Sequence, residues 1–160
     1  MLSMPRVNQL MLYNHTSAGD EFFTPKFIFD ALSIEFDLDV SSPVDLSTNV
    51  PAKHRFTSEQ DGLAQDWFGN VWMNPPYSKP APWVDKFIEH GQGIALLPFT
   101  RGKWWFKMWN NCPGILPIAH DLKFEKPDGT FKPITFNVAL YAMGAENVRT
   151  LRRVAWHQVR

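Results

Sequence analysis

Apolar and polar positions follow three patterns along the middle of the chain: unbroken apolar runs, strict alternation and helical spacing. Positions 71–73 and 94–97 are unbroken apolar runs, as expected for strands buried on both faces of a parallel sheet. Positions 36–40 alternate between apolar and acidic residues over the length of a strand. Positions 82–90 have helical spacing and end at Gly91, a favoured helix stop. The alternation of strands and helices predicts an α/β fold whose sheet is at least partly parallel.

The remaining pattern completes a single domain that spans residues 1–160. A helix is predicted from Thr24-Pro25, because Thr is a fair N-cap and Pro is favoured at the first helical position. Residues 41–58 are rich in Ser, Thr, Pro and Asn and are predicted to form a loop. Further elements are expected as a helix at 103–110, strands at 114–118 and 136–143, an irregular arm at 1–20 and a basic, helical tail at 146–160.

The composition excludes several classes of site. Cys112 is the single cysteine of the 160 residues, which excludes an internal disulfide and a cysteine zinc site and indicates a reducing cytoplasm; we expect a structural thiol. No pair of the five histidines has metal-ligand spacing, and we expect no metal site. The chain has no P-loop, dinucleotide fingerprint or nucleophile elbow, which removes NTPases, ordinary dinucleotide enzymes and hydrolases. No apolar run reaches the ~18 residues of a membrane span.

Charge is distributed unevenly, although the formal net charge is zero. Residues 1–80 carry five basic and ten acidic side chains, whereas residues 81–160 carry eleven basic and six acidic ones. This division fits an acidic pocket beside a basic face that is suited to phosphate groups. It equally fits ordinary surface variation, so it gives only mild support to a nucleic-acid partner.

The most informative motif is Asn74-Pro75-Pro76-Tyr77, which follows the apolar run at 71–73. The Asn amide oxygen and a backbone carbonyl can both accept hydrogen bonds from an exocyclic amino group. The prolines hold the turn rigid and remove N–H donors, and the Tyr ring offers a stacking face for a base taken out of its helix. The alternative is a plain tight turn, because Pro-Pro is common in loops. We favour a pocket for a flat base that bears an amine.

Acidic side chains are predicted at the same edge of the sheet, beyond the carboxyl ends of the strands. Asp37 and Asp39 share one face of their strand. Asp39 is nearer the following loop and is the better candidate for binding a ribose hydroxyl or an ammonium group. Asp61 begins an Asp-Gly turn, in which a carboxylate ordinarily accepts from local N–H groups.

Basic and aromatic residues follow the second apolar run. Arg101, Lys103 and Trp104 are suited to contact phosphates and to wedge against bases. Trp105 and Trp109 continue at helical spacing, and we predict that these two belong to the core. Arg101, Lys103 and Trp104 therefore predict a nucleic-acid contact surface beside the base pocket.

Several segments occur in an order that resembles a known family. They are Thr24-Pro25, Phe36-Asp37-Leu38-Asp39-Val40-Ser41-Ser42, Phe56-Thr57, Asp61-Gly62-Leu63 continuing to Trp67, and Asn74-Pro75-Pro76-Tyr77-Ser78. Over residues 21–143 the chain resembles the small Dam-type DNA N6-adenine methyltransferases of bacteriophages and prophages. The tetrapeptide is the most specific of these segments.

The resemblance implies a compact Rossmann-like methyltransferase sheet flanked by helices, with S-adenosylmethionine as methyl donor and adenine in double-stranded DNA as acceptor, in the cytoplasm of a bacterial host. The catalytic residues that it implies are Asn74, Pro75, Pro76 and Tyr77. Asn74 and Pro75 would hold the adenine amino group, and Tyr77 would stack on the flipped base through its ring. The implied cofactor-binding residues are Thr24, Pro25, Asp39, Ser41 and Asp61. The implied substrate-binding residues are Ser78, Lys79, Arg101, Lys103 and Trp104.

The chain departs from the family pattern after its first strand. Ser41-Ser42-Pro43 stands where this class of enzyme usually has a Gly-rich loop against the amino-acid end of the cofactor. Two alternatives to an active DNA methyltransferase remain: a non-catalytic nucleic-acid-binding relative with a decayed cofactor site, and a methyltransferase that acts on RNA. Nothing in the sequence indicates the oligomeric state or the DNA target.

Overall fold

The computed structural model describes residues 23–44, 48–118, 122–126, 128–134 and 136–154. The helices within these ranges are α1 (Lys26–Leu32), α2 (Ala81–His90), α3 (Lys103–Asn111) and α4 (Ala145–Arg153). The strands are β1 (Phe36–Ser42), β2 (Ala52–Thr57), β3 (Val71–Met73), β4 (Gly93–Pro98), β5 (Gly114–Pro117), β6 (Lys123–Glu125), β7 (Phe131–Pro133) and β8 (Val138–Met143). The arm predicted at 1–20 and the end of the predicted tail, 155–160, lie outside the described residues.

Six of these strands form one sheet in the order β2-β1-β3-β4-β8-β5, and β6 pairs with β7 in a separate hairpin. The first four strands run parallel, whereas β8 is antiparallel to both β4 and β5. The strand order reverses between β1 and β3, because β1 has β2 on one side and β3 on the other. Such a switch point leaves a crevice at the carboxyl ends of the strands. The mainly parallel sheet with flanking helices confirms the predicted Rossmann-like α/β fold.

Two hydrophobic layers cover the two faces of the sheet, and β3 contributes to both. Trp72 is 1% exposed and belongs to one layer, whereas Val71 and Met73 belong to the other. Trp72 meets Phe29 of α1 edge to face, with 4.8 Å between the ring centroids. Phe87 of α2 lies in the opposite layer. Helices α1 and α2 therefore cover opposite faces, which explains why β3 is apolar at every position.

The predicted loop at 41–58 is wrong in two places, because residues 41–42 are the end of β1 and residues 52–57 form β2. This strand lies at the edge of the sheet and pairs only with β1 among the described strands. Lys53 and His54 are exposed, and the remaining positions are half-buried. Backbone hydrogen bonds to β1 rather than a buried apolar face define the strand, so its sequence lacks the expected alternation. The β6–β7 hairpin was not predicted either.

The start of α1 also differs from the prediction. Pro25 is the N-cap residue and has an extended backbone, with φ −59° and ψ 139°, and the cap carries no side-chain hydrogen bond. The helix therefore begins one residue later than the Thr-Pro pattern predicts. This leaves the buried Thr24 hydroxyl available for a contact elsewhere in the fold.

The prediction for the tryptophans of α3 is half right. Trp105 is half-buried, packs against one hydrophobic layer and donates from Nε1 to the Tyr141 hydroxyl at 2.9 Å. Trp109 is 52% exposed, so its assignment to the core is wrong. Its ring stacks on Trp105 with 5.4 Å between centroids and thus covers another indole instead of entering the core.

Cys112 is a buried thiol, as predicted. Its Sγ lies 3.1 Å from the Ala142 carbonyl oxygen, and burial raises its pKa to about 11. The thiol therefore stays protonated near neutral pH and is a poor nucleophile. Across the described ranges, no helix has the length and hydrophobicity needed to cross a membrane, and no group of three or more His, Cys, Asp or Glu could hold a metal ion.

Gly62 is the point at which the segment after β2 touches β1. A Cβ atom there would lie 2.0 Å from the Val40 carbonyl oxygen, a backbone atom that cannot rotate away. We expect Gly62→Ala to lower the free energy of unfolding by about 1–3 kcal/mol, measured by denaturant unfolding. Gly114→Ala is the matched control, because a Cβ there first meets side-chain atoms at 3.2 and 3.3 Å and should cost less. Equal losses in the two variants would contradict the backbone clash.

Candidate active site

The carboxyl ends of β1 and β3 meet at the switch point of the sheet. The two strands pair in parallel, with Asp39 opposite Trp72. Just beyond, the backbone N–H of Asn74 donates to the Ser41 hydroxyl at 3.0 Å. Strand pairing therefore brings a predicted cofactor-binding residue into contact with the first residue of the predicted catalytic motif.

Both ends of the Asn74 side-chain amide have a hydrogen-bond partner. Nδ2 donates to Thr24 Oγ1 at 3.0 Å, and Oδ1 accepts from the Tyr77 hydroxyl at 2.8 Å. The Tyr77 hydroxyl also lies 3.1 Å from the Leu96 carbonyl oxygen of β4. Because it carries a single proton, the hydroxyl donates to one of these two acceptors at a time. The Asn74 amide is thus held between Thr24, which precedes the N-cap of α1, and Tyr77 of the same motif.

The two prolines and the tyrosine ring give the motif its shape. Pro75 is buried and Pro76 is half-buried, and neither has an N–H that would occupy a neighbouring carbonyl. The half-buried ring of Tyr77 meets Phe136 in a T-shaped contact, with 5.9 Å between centroids. The structure therefore brings amide, backbone carbonyl and aromatic groups together in one rigid turn, an arrangement that can accept hydrogen bonds from an amine beside a flat ring.

Asp39 is a buried carboxyl group at the carboxyl end of β1. It is 1% exposed, and its Oδ1 accepts from the backbone N–H of Ser41 at 3.1 Å. Nη1 of Arg55, on β2, lies 4.0 Å from its Oδ2. Burial raises the pKa of Asp39 to about 7, and the Ser41 hydrogen bond and the Arg55 charge oppose this rise only in part. A carboxyl group of this kind gains from a cationic or hydrogen-bonding ligand.

Two buried polar atoms near Asp39 make no hydrogen bond of normal geometry with the described residues, although the side chains of both interact with the Asp39 carboxyl. They are Ser42 Oγ and Arg55 Nη1. The other guanidinium nitrogen, Arg55 Nη2, donates to the Val50 carbonyl oxygen at 3.0 Å and fixes the orientation of the group. Buried polar atoms are nearly always paired, so these donors are candidates to bind the hydroxyl or carboxylate groups of a ligand.

Asp61 lies in a turn whose described contacts are local. Its Oδ1 accepts from the Leu63 N–H at 3.2 Å, which is the ordinary role of an Asp in an Asp-Gly turn. Gly62 brings the turn against the end of β1. Lys86 of α2 and the Trp67 indole hold it there: Nζ donates to the Leu63 carbonyl oxygen at 2.7 Å, and Nε1 donates to that of Gly62 at 2.7 Å. The exposed Asp61 side chain is therefore placed beside the crevice.

The predicted substrate-binding residues divide into two groups. Ser78, Lys79, Arg101 and Lys103 are exposed. Trp104 is half-buried and packs against a hydrophobic layer of the sheet, which leaves less of its ring for a ligand. The exposed residues follow β3 and β4, so they lie at the edge of the sheet that carries Asn74.

Aromatic side chains form a surface beside these cations, which we call the aromatic patch: Phe99, Trp105, Phe106 and Trp109. Phe99 meets Trp105 and Trp109 at 5.2 and 6.5 Å between centroids. Phe106 is 54% exposed and Trp109 is 52% exposed, so two large rings face solvent. The patch begins directly after β4 and lies beside the crevice.

Sequence reasoning missed three residues of this region. The sequence around Arg55 predicts a loop rather than β2, and the Phe56-Thr57 pair next to it is the available indication of a site. Ser42 was treated only as part of an altered loop. Asn49 Nδ2 donates to the Thr24 carbonyl oxygen at 3.0 Å and to Glu125 Oε2 at 3.1 Å, contacts between distant segments that no local pattern reveals.

The sheet order, together with an amide-and-proline turn at its switch point, defines an α/β protein of the Rossmann-like methyltransferase class. A family model described as DNA N-6-adenine-methyltransferase (Dam) matches residues 13–124. A protein of Haemophilus phage HP1 (strain HP1c1), named DNA N-6-adenine-methyltransferase, is 33% identical over 144 residues, covering 78% of this chain and 82% of that protein. A protein of the same name from Escherichia phage T1 is 34% identical over 103 residues, covering 59% of this chain and 41% of that protein. The chain belongs to the DNA N-6-adenine-methyltransferase (Dam) family.

The raised pKa of Asp39 predicts how stability depends on pH. Between about pH 4 and 7 the unfolded carboxyl ionises and the buried one does not, so its contribution to stability falls as pH rises, by on the order of 4 kcal/mol in all. We expect Asp39→Asn to be more stable than the wild type at pH 8 and similar to it at pH 4. Denaturant unfolding at both values measures this. Asp128→Asn is the control. Hydrogen bonds from Thr130 lower the pKa of the exposed Asp128 carboxyl, so the pH dependence of its contribution to stability has the opposite sign. An Asp39→Asn variant that is less stable at pH 8 would contradict the prediction.

Proposed function

We propose that the chain transfers a methyl group from S-adenosylmethionine to the N6 amino group of an adenine flipped out of duplex DNA. The observation that carries this proposal is the Asn74 amide, held between two hydroxyl groups where β1 and β3 meet. The family of the chain and the printed names of its phage relatives support the methyltransferase class and DNA as substrate. Their phage sources support the cytoplasm of a bacterial host as the place of action.

The chemistry suits a site without a catalytic histidine, cysteine or metal. The lone pair of an exocyclic amine is delocalised into the base, which makes the amine a poor nucleophile. Acceptors on its two hydrogens draw the nitrogen toward tetrahedral geometry and localise that pair. Asn74 Oδ1 and the Pro75 carbonyl are the proposed acceptors, and Pro76 keeps the turn rigid. Positioning supplies most of the remaining rate enhancement.

Tyr77 has two proposed tasks in this reaction. Its ring stacks on the flipped adenine and offsets the few kcal/mol that unstacking costs. Its hydroxyl lies 2.8 Å from Asn74 Oδ1 and 3.1 Å from the Leu96 carbonyl oxygen. Donation to Leu96 would release the Asn74 oxygen for the incoming amine, so the hydroxyl has an alternative acceptor when the base arrives.

The residues at the end of β1 fit the proposed cofactor. Asp39 is a buried carboxyl suited to a cationic or hydroxyl-bearing ligand, and the side chains of Ser42 and Arg55 beside it carry donors suited to hydroxyl and carboxylate groups. When bound, S-adenosylmethionine supplies an activated methyl group on a cationic sulfur. The proposed set that holds it is Pro25, Asp39, Ser41, Ser42, Arg55 and Asp61. The resemblance also assigns Thr24 to the cofactor, but its hydroxyl contacts Asn74 and is given a different role below.

The DNA is proposed to lie across the carboxyl edge of the sheet. Ser78, Lys79, Arg101 and Lys103 are exposed there and are suited to phosphate contacts, and Trp104 contributes its accessible edge. The aromatic patch adds two solvent-facing rings, the kind of group that wedges against or stacks on bases. This surface gives sequence preference a place without a separate recognition domain.

The test is transfer of a labelled methyl group from S-adenosylmethionine to adenine-containing duplex DNA. We expect N6-methyladenine from the wild type and a loss of about 10²- to 10³-fold in Asn74→Ala, comparable to the loss of a preorganised acceptor or donor in other active sites. Asn110→Ala is the matched control, because Asn110 is exposed on α3, away from the motif. Product is identified after digestion to nucleosides.

Two outcomes would contradict the proposal. A wild-type chain that binds the cofactor and leaves adenine N6 unlabelled would remove the enzyme assignment. A single-stranded RNA of the same sequence, tested in parallel, would be labelled faster than duplex DNA if the chain were an RNA methyltransferase.

Two variants of Tyr77 separate the contribution of ring stacking to turnover from that of the hydroxyl hydrogen bond. We expect Tyr77→Ala to lose about 5- to 150-fold in turnover, the range that corresponds to the 1–3 kcal/mol of a base–aromatic stack. Tyr77→Phe retains the ring and should lose less, since only the hydroxyl that contacts Asn74 Oδ1 is removed. Turnover on duplex DNA at saturating cofactor measures both. Equal losses would count against stacking.

A further inference from the structure

A chain of hydrogen bonds leads from the β6–β7 hairpin to the Asn74 amide. Glu125 Oε2 of β6 accepts from Asn49 Nδ2 at 3.1 Å, and the same nitrogen donates to the Thr24 carbonyl oxygen at 3.0 Å. Thr24 Oγ1 then accepts from Asn74 Nδ2 at 3.0 Å. These contacts join segments separated by 25, 76 and 50 positions in sequence, so folding rather than local geometry creates them.

Thr24 is fixed from several directions, and none of them is helix capping. The preceding residue, Phe23, forms an isolated antiparallel bridge with Glu125, with backbone hydrogen bonds of 2.6 and 3.1 Å. Thr24 is 4% exposed, and the cap of α1 makes no side-chain hydrogen bond. The backbone around Thr24 is therefore held by β6 and Asn49, and its hydroxyl contacts Asn74 Nδ2.

We propose that Thr24 and Asn49 are positioning residues that set the orientation of the Asn74 side-chain amide. This proposal rests on the function proposed above, because orientation matters only where Asn74 Oδ1 must face a base amine. An amide that rotates about its last bond exchanges oxygen for NH2, and an NH2 group cannot accept from the amine. In the observed pairing the Thr24 hydroxyl accepts from Nδ2 while the oxygen accepts from Tyr77, and Asn49 holds the Thr24 backbone in place.

The arrangement also links the amide to the hairpin. β6 and β7 lie between β5 and β8, whose pairing sets Pro117 against Ala139 and places this insertion at the carboxyl edge. Val138, where β8 begins, pairs with Pro98 at the end of β4. The hairpin therefore emerges from the edge that carries Asn74, and its docking through Glu125 determines where Thr24 sits.

Thr24→Val tests this chain of hydrogen bonds, because valine has the shape of threonine but lacks the hydroxyl that accepts from Asn74 Nδ2. We expect it to lower kcat on duplex DNA by about tenfold to a hundredfold, the scale of a small misplacement, with the cofactor Kd changed less than about twofold. Thr24→Ser restores the hydroxyl and should recover most of the turnover. Thr150→Val is the matched control, since Thr150 is 3% exposed and its Oγ1 likewise accepts a single hydrogen bond, from Arg153.

Asn49→Ala should have the same phenotype in weaker form, because it acts through Thr24. Its matched control is Asn147→Ala: Asn147 Nδ2 also donates to two acceptors, Asn70 Oδ1 at 2.7 Å and the Met143 carbonyl oxygen at 2.8 Å. A double variant Thr24→Val/Asn49→Ala should lose little more than Thr24→Val alone, since both changes interrupt one chain of contacts.

A spectroscopic readout separates this inference from the function on which it rests. The side-chain NH2 resonances of Asn74, assigned by their loss in Asn74→Ala, should shift and exchange faster with water in Thr24→Val and remain near wild type in Thr24→Ser. Unchanged resonances, or a loss that appears as weaker cofactor binding, would overturn the positioning role and assign Thr24 to the cofactor. Failure of the proposed function would instead appear as absent transfer by the wild type, with the resonance shifts still deciding the role of Thr24.

Discussion

The register between β1 and β3 is the constraint on which the site depends. β3 has three residues, and Trp72 belongs to one hydrophobic layer while Val71 and Met73 belong to the other. A slip by one residue would move the largest side chain of the strand into the wrong layer. Packing of Trp72 against Phe29 therefore fixes where Asn74 emerges, opposite Ser41. Core packing thus positions the amide that the chemistry requires.

The proposed acceptor half and the proposed donor half of the site are encoded differently. Asn74 to Tyr77 are consecutive, and their residue types alone predict a rigid turn with acceptors and a ring. The other half is assembled from β1, β2 and the turn at Asp61, and it is held by Lys86 of α2. Sequence reasoning identified Asp39 there but missed Arg55 and Ser42, because β2 is an edge strand defined by backbone pairing.

The same distinction explains which parts of the fold were predictable. Strands buried on both faces, such as β3 and β4, have continuous apolar sequences, and α2 ends at a Gly91 with φ 73°. Thr24 and Trp109 misled the prediction because their residue types fit a cap and a core. Tertiary contacts, with Asn74 and with Trp105, decided their actual environments. Residue type predicted the elements, and long-range contacts decided the roles.

The division of charge within the site agrees with the chemistry proposed for it. The described partners of the Asn74 side chain are hydroxyl groups, whereas the opposite side contains a carboxyl and a guanidinium group. A neutral amine needs oriented acceptors rather than charge, and a cationic donor gains from a buried carboxyl. Keeping Asp39 buried is costly in the free protein, as its raised pKa indicates. That cost is what a bound cation beside Asp39 would offset, so stability given up at the end of β1 would strengthen binding of the proposed cofactor there.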